Sequence, residues 1–126
     1  MSRSAKWSIP AAVVFAAMPM AAAAQQQLPT GVTAAMIEEG QTLFASTGLC
    51  ASCHGEAGAG TPLAPNLADA EWLHIDGSYE SIVQVIETGE SMPKNTYIPM
   101  VPRGGSSITD PQLRSVAAYV WSLSNK

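Results

Sequence analysis

Cys50-Ala51-Ser52-Cys53-His54 holds both cysteines of the chain and one of its two histidines. A spacing of three residues puts the two thiols on one side of a helical turn. C-x-x-C-H is the pattern of a c-type haem attachment site. Each thiol can form a thioether to one vinyl group of a haem, and His54, beside them, can bind the iron from the proximal face. Chemistry of that kind moves electrons, and it asks the remaining chain to build an apolar pocket.

The same cysteines admit other uses. A thioredoxin-like redox pair expects a βαβ surround, and no such strand pattern is visible. A closed structural zinc site takes four Cys or His ligands; outside the motif the chain offers only His74. A disulfide between Cys50 and Cys53 would close only a tiny loop.

The elements around the motif read as helices. From Thr33 a helix is predicted, with Met36, Ile37, Gly40, Leu43 and Phe44 on one face and Glu38 and Glu39 on the wet side. Gly40 inside a helix costs about 1 kcal/mol relative to Ala, which suggests close approach by another helix. Gly48 ends this region before the motif. Residues 55–70, with Gly55, Gly58, Gly60, Pro62 and Pro65, read as a loop within one domain. A short helical turn is expected over Asp69 to His74. Ser78 can cap a helix whose apolar face is Tyr79, Ile82, Val83 and Ile86, and Gly89 is its stop. Residues 90–108 read as a long irregular loop rich in Pro and Gly, a length that in a compact domain is functional or disordered. Thr109 and Gln112 form a capping box with Pro111 in the first turn, opening a last helix with Leu113, Val116, Ala117 and Val120 as its stripe and Tyr119 beside it. The fold class is all-α: three main helices plus short turns.

At 126 residues the chain suits one domain. Residues 1–24 read as a secretory signal: Arg3 and Lys6 start it, an apolar run follows from about Trp7 to Ala21, and Ala22-Ala23-Ala24 offers a cleavage site. The other reading is an uncleaved N-terminal anchor, although the run is short for a span of about 20 apolar residues. The domain is then 25–126, with its core over 33–124. Losing residues 1–24 removes two of six basic residues and none of ten acidic ones, so the formal charge falls from −4 to −6. Nucleic acid and anionic membrane surfaces are poor partners for such a chain. A redox partner with a basic patch, or a mainly apolar contact, suits it better.

His54 leaves the other face of the iron open. A methionine opposite a histidine raises the reduction potential. Met36 lies on the apolar face of the first helix and is most simply core. Met92, in Met92-Pro93, and Met100, in Pro99-Met100-Val101-Pro102-Arg103-Gly104-Gly105, both lie in the Pro/Gly-rich loop. Prolines flanking Met100 would stiffen the backbone that presents its sulfur.

Residues 33–124 resemble the small bacterial monohaem class I cytochromes c, of the cytochrome c5 and c6 kind. The resemblance is carried by Gly40-x-x-x-Phe44, Cys50-x-x-Cys53-His54, Pro65-Asn66-Leu67, the helix ending at Gly89, and Ala117-Ala118-Tyr119-Val120-Trp121. It implies the class I fold, wrapped around one covalent haem c with the first and last helices crossing. In that family the methionine ligand lies shortly before the last helix. Met100 precedes Tyr119 by 19 positions and Met92 precedes it by 27, so Met100 matches. The Met100–Gly105 stretch is also similar to the M-P-P-K-G-G segment of cytochromes c5, with Val101 in place of one proline. The resemblance further implies that the Pro65 carbonyl accepts a hydrogen bond from His54, that Leu67 packs on the haem, and that Gly40 and Phe44 meet Val116 and Tyr119. Trp72, Tyr97 and Arg103 are candidates for holding a haem propionate. His74 reads as a surface or propionate-adjacent residue, and Lys94 and Arg114 as solvated.

The expected function is a periplasmic electron carrier with His54 and Met100 as iron ligands. No catalytic acid–base pair or nucleophile stands out, so the chain reads as a carrier rather than an enzyme. The alternative is a haem subunit of a respiratory, dehydrogenase or photosynthetic complex at the membrane, whose sequence would look the same. An open-site sensor or peroxidase-like protein would require Met100 not to bind.

Overall fold

The computed structural model describes residue 4, residues 7–17 and residues 26–126. Four helices run from Ala34 to Ser124: α1 (Ala34–Ala45), the single turn α2 (Ala51–His54), α3 (Tyr79–Thr88) and α4 (Asp110–Ser124). Among the described residues the only extended pairing is an isolated antiparallel bridge between Glu90 and Met100. The all-α expectation of three main helices with short turns holds.

Each long helix starts where its cap is. Thr33 accepts from the Met36 N–H, and Ser78 accepts from the Ser81 N–H. Thr109 and Gln112 complete a reciprocal capping box that satisfies two N–H groups the helix itself cannot. Gly89 stops α3 at φ 73°, a left-handed backbone suited to glycine.

The apolar stripes meet in one core. Leu43 and Phe44 of α1, Tyr79, Ile82, Val83 and Ile86 of α3, and Leu113, Val116, Ala117, Tyr119, Val120 and Leu123 of α4 are buried together. Helix α4 packs against both α1 and α3. At the α1–α4 crossing a Cβ on Gly40 would collide with the Ser115 carbonyl oxygen and lie 2.9 Å from Tyr119 Cβ. That contact is the reason for glycine in mid-helix. Phe44 packs edge-on to Tyr119 with ring centroids 5.4 Å apart. Gly40 and Phe44 thus meet Tyr119, Gly40 also meets Ser115, and Val116 shares the core with Phe44 while lining the cleft described below. Ser115 is buried, and its hydroxyl donates to Glu39 Oε2 at 2.6 Å. Glu39 is thus tied into the crossing as well as being wet.

The expected helical turn over Asp69 to His74 is absent; that stretch is a series of bends. Asp69 Oδ1 accepts the Glu71 N–H at 3.1 Å, a local Asx turn that no helical turn follows. The segment 90–108 is more ordered than its composition suggests. It contains the Glu90–Met100 bridge and a tight turn over Pro102–Gly105.

Of the proposed leader, residues 7–17 have no regular structure, and Trp7, Ile9, Val13, Val14 and Phe15 are exposed. The Ala22–Ala24 cleavage site lies outside the described residues. No helix among the described residues is long and apolar enough to cross a membrane.

Candidate functional site

The chain leaves α1 through a tight turn in which the Gly48 N–H donates to the Leu43 carbonyl at 2.8 Å. Leu49 follows at φ 62°, an uncommon left-handed conformation for a residue with a side chain. The turn delivers Cys50 to the start of α2, whose one turn is closed by the His54 N–H donating to the Cys50 carbonyl at 2.9 Å. Cys50, Cys53 and His54 are half-buried and line one cleft of about 280 Å³, near the low end of the ~300–1,000 Å³ typical of ligand pockets.

The loop after α2 folds back to fix the histidine. The Gly60 N–H donates to the His54 carbonyl at 2.7 Å, and the Thr61 hydroxyl donates to the Cys53 carbonyl at 2.5 Å. Leu67 is tied by its N–H to the Gly58 carbonyl at 2.7 Å. The Pro65 carbonyl then lies 3.0 Å from His54 Nδ1. A carbonyl can only accept, so Nδ1 carries the proton and Nε2 keeps its lone pair. Burial lowers the His54 pKa, with the Pro65 bond opposing it, so the ring favours the neutral form that metal binding requires. Burial also pushes the Cys50 thiol up to about 11. Its surroundings suit a neutral sulfur, such as a thioether, better than a thiolate.

The remaining lining is mostly apolar: Leu67, Trp72, Ile75, Ile82, Ile86, Ile98, Val116 and Val120 among others. Met100 belongs to it. Met92 does not, and it is 79% exposed. Trp72 and Tyr97 also line the cleft. Trp72 stands against Gly77, where a Cβ would strike the indole.

Arg103 is placed differently. It is not in the cleft lining; it donates to the Ile108 carbonyl at 2.8 Å and to Asp110 Oδ1 at 2.5 Å, fastening the loop to the start of α4. Lys94 is not merely solvated, because its ammonium donates to the Leu73 carbonyl. His74 lines the cleft with its Nδ1 3.3 Å from Glu90 Oε2. Thr61 and Glu90 are site residues that sequence reasoning missed. Thr61 had one local signal, a hydroxyl ahead of Pro62 in a turn; Glu90 had none that pointed to the site, because His74 and Met100 are distant in sequence. No disulfide joins Cys50 and Cys53, and among the described residues no three Cys, His, Asp or Glu side chains converge as a zinc site requires.

A family model described as cytochrome c oxidase, cbb3-type, subunit III, matches residues 35–120. The chain belongs to this family. Among curated proteins it is similar to the cbb3-type cytochrome c oxidase subunit CcoP of Cereibacter sphaeroides, 36% identical over 92 residues that cover 71% of this chain. It is also similar to subunit FixP of the cbb3-type oxidase of Sinorhizobium medicae, 38% identical over 91 residues that cover 70% of this chain. The matches span 28% of the length of each of these relatives. Among solved structures, cytochrome CL of Methylophaga aminisulfidivorans aligns at TM-score 0.48 and 21% identity, covering 72% of this chain and 55% of that one.

The subunit III match makes this chain a cytochrome c domain, whose cofactor is a covalent c-type haem. The cleft fits that group. A cysteine pair sits in its wall, an imidazole has its outer nitrogen fixed by Pro65, a thioether lies on a separate segment, and the walls between them are apolar.

Proposed function

We propose that the chain relays single electrons as the haem domain of a cbb3-type oxidase assembly on the periplasmic side of the membrane, without catalysing substrate chemistry itself. The observation that carries the site assignment is that His54 and Met100 share one apolar cleft while Met92 stands outside it. Cys50 and Cys53 would hold the haem, His54 Nε2 and the Met100 sulfur would bind its iron, and Pro65 and Leu67 would support it. The haem, when bound, supplies a one-electron iron couple. His54 keeps its proton on Nδ1 against Pro65, which makes it a better donor through Nε2. The apolar walls exclude water, and a sulfur ligand would close the site to exogenous ligands.

Residues 1–24 are proposed as a secretory leader or anchor, which puts the domain at residues 25–126. A free periplasmic carrier would use the same site; the names of the relatives favour the subunit role over it. The test is co-purification. A tagged full chain, loaded with haem in its native membranes and gently solubilised, should bring down oxidase subunits in a fixed ratio. Recovery of the fully loaded chain alone would overturn the subunit role and leave the free carrier.

A further inference from the structure

Met100 is held by its backbone before its sulfur meets anything. Its N–H donates to the Glu90 carbonyl at 2.9 Å, and its carbonyl accepts the Glu90 N–H at 2.7 Å. The approach is so close that a Cβ on the preceding Gly89 would collide with the Met100 carbonyl oxygen. Whatever fixes Glu90 therefore fixes Met100.

Both oxygens of the Glu90 carboxylate are engaged. Oε1 accepts the Met92 N–H at 2.8 Å, which curls the start of the loop back on itself. Oε2 faces His74 Nδ1 at 3.3 Å, reaching across to the segment before α3. A second tie, from the Lys94 ammonium to the Leu73 carbonyl, joins the same two segments. The His74 and Glu90 side chains are only 23% and 27% exposed, so water competes with the pair less than it would on an open surface.

We propose that Glu90 is a positioning residue for Met100: its carboxylate clamps the 90–100 loop to the His74 segment and so keeps the methionine sulfur over the cleft. This rests on the assignment of Met100 as an iron ligand. A clamp of this kind leaves the sulfur in place but makes its release costly. Loosening it should let a small competitor reach the iron more readily.

The test uses the full chain with haem attached, in the oxidised state, titrated with imidazole well below its unfolding temperature. In the wild type the sulfur-to-iron band at the red end of the spectrum should be present and should fade only at high imidazole. Glu90→Ala should bind imidazole at least about tenfold more tightly, the factor that corresponds to loss of one charged hydrogen bond of about 1.4 kcal/mol. Glu90→Gln, which can still accept from Met92, should fall between the two. Glu87→Ala, an exposed acid on α3, should match the wild type. His74→Ala removes the far end of the clamp and should shift affinity in the same direction; it decides the matter if Glu90→Ala fails to load haem. Wild-type imidazole affinity in Glu90→Ala, or in His74→Ala where that variant stands in for it, overturns the clamp. Absence of the sulfur band in the wild type overturns the ligand assignment beneath it.

Discussion

A histidine serves a metal only through a nitrogen that carries no proton. In this chain the choice of nitrogen is made eleven residues away, by the Pro65 carbonyl. The Thr61 hydroxyl and the Gly60 N–H supply the ties that bring that carbonyl into reach. The pattern recurs at Asp76, which accepts from the Ser78 N–H at 2.9 Å and the Ser81 hydroxyl at 2.7 Å, just ahead of α3. Those bonds, the Ser78 N–H first, hold its pKa at about 2 against an ordinary 3.8. A depressed carboxylate stabilises the fold above its unfolded pKa and loses that contribution as pH falls through the folded one. The stability advantage of wild type over Asp76→Asn should therefore be full at pH 5 to 7 and shrink as pH drops from 3.8 toward 2. Denaturant melts along that series check it; an advantage unchanged down to pH 2 would contradict it.

At the scale of elements, the α1–α4 crossing sets the frame on which the site hangs. Helix propensity alone says that Gly40→Ala should help by about 1 kcal/mol. The collision with the Ser115 carbonyl says the opposite, and the Glu39–Ser115 bond and the Phe44–Tyr119 pair leave the crossing little room to open. Overpacking of this kind costs about 1–3 kcal/mol. Gly40→Ala should lower the thermal midpoint by roughly 4 °C or more for a domain of this size; a rise would show that the crossing yields. This part of the fold was legible in the residues themselves. Thr33, Ser78, the Thr109–Gln112 box and Gly89 mark helix ends through bonds within one turn, and the apolar spacing marks the buried faces. Asp69 misled because the bond it accepts from the Glu71 N–H is the same whether a helix or only an Asx turn follows. The roles of Glu90, His74, Lys94 and Arg103 were not legible. Each depends on a partner brought near by the tertiary fold or by the turn at Pro102–Gly105.

Taken whole, the molecule keeps its core and its cleft on shared walls. Phe44, Ile82, Ile86, Val116 and Val120 belong to the buried core and also line the cleft. A flat apolar group seated there completes the core, as a small domain with a modest core of its own requires. The motif from Cys50 to His54 anchors one end of this arrangement, and the loop between α3 and α4 brings Met100 to the same cleft. Closure of one iron by both segments is the central proposal, and it would turn an attachment motif into an electron-relay site. The most direct measurement is the optical spectrum of the oxidised, haem-loaded chain beside Met100→Ala and Met92→Ala. The wild type and Met92→Ala should show a low-spin spectrum with the sulfur-to-iron band, and Met100→Ala should lose that band. A band that survives in Met100→Ala and vanishes in Met92→Ala, or a high-spin wild type, would contradict the account.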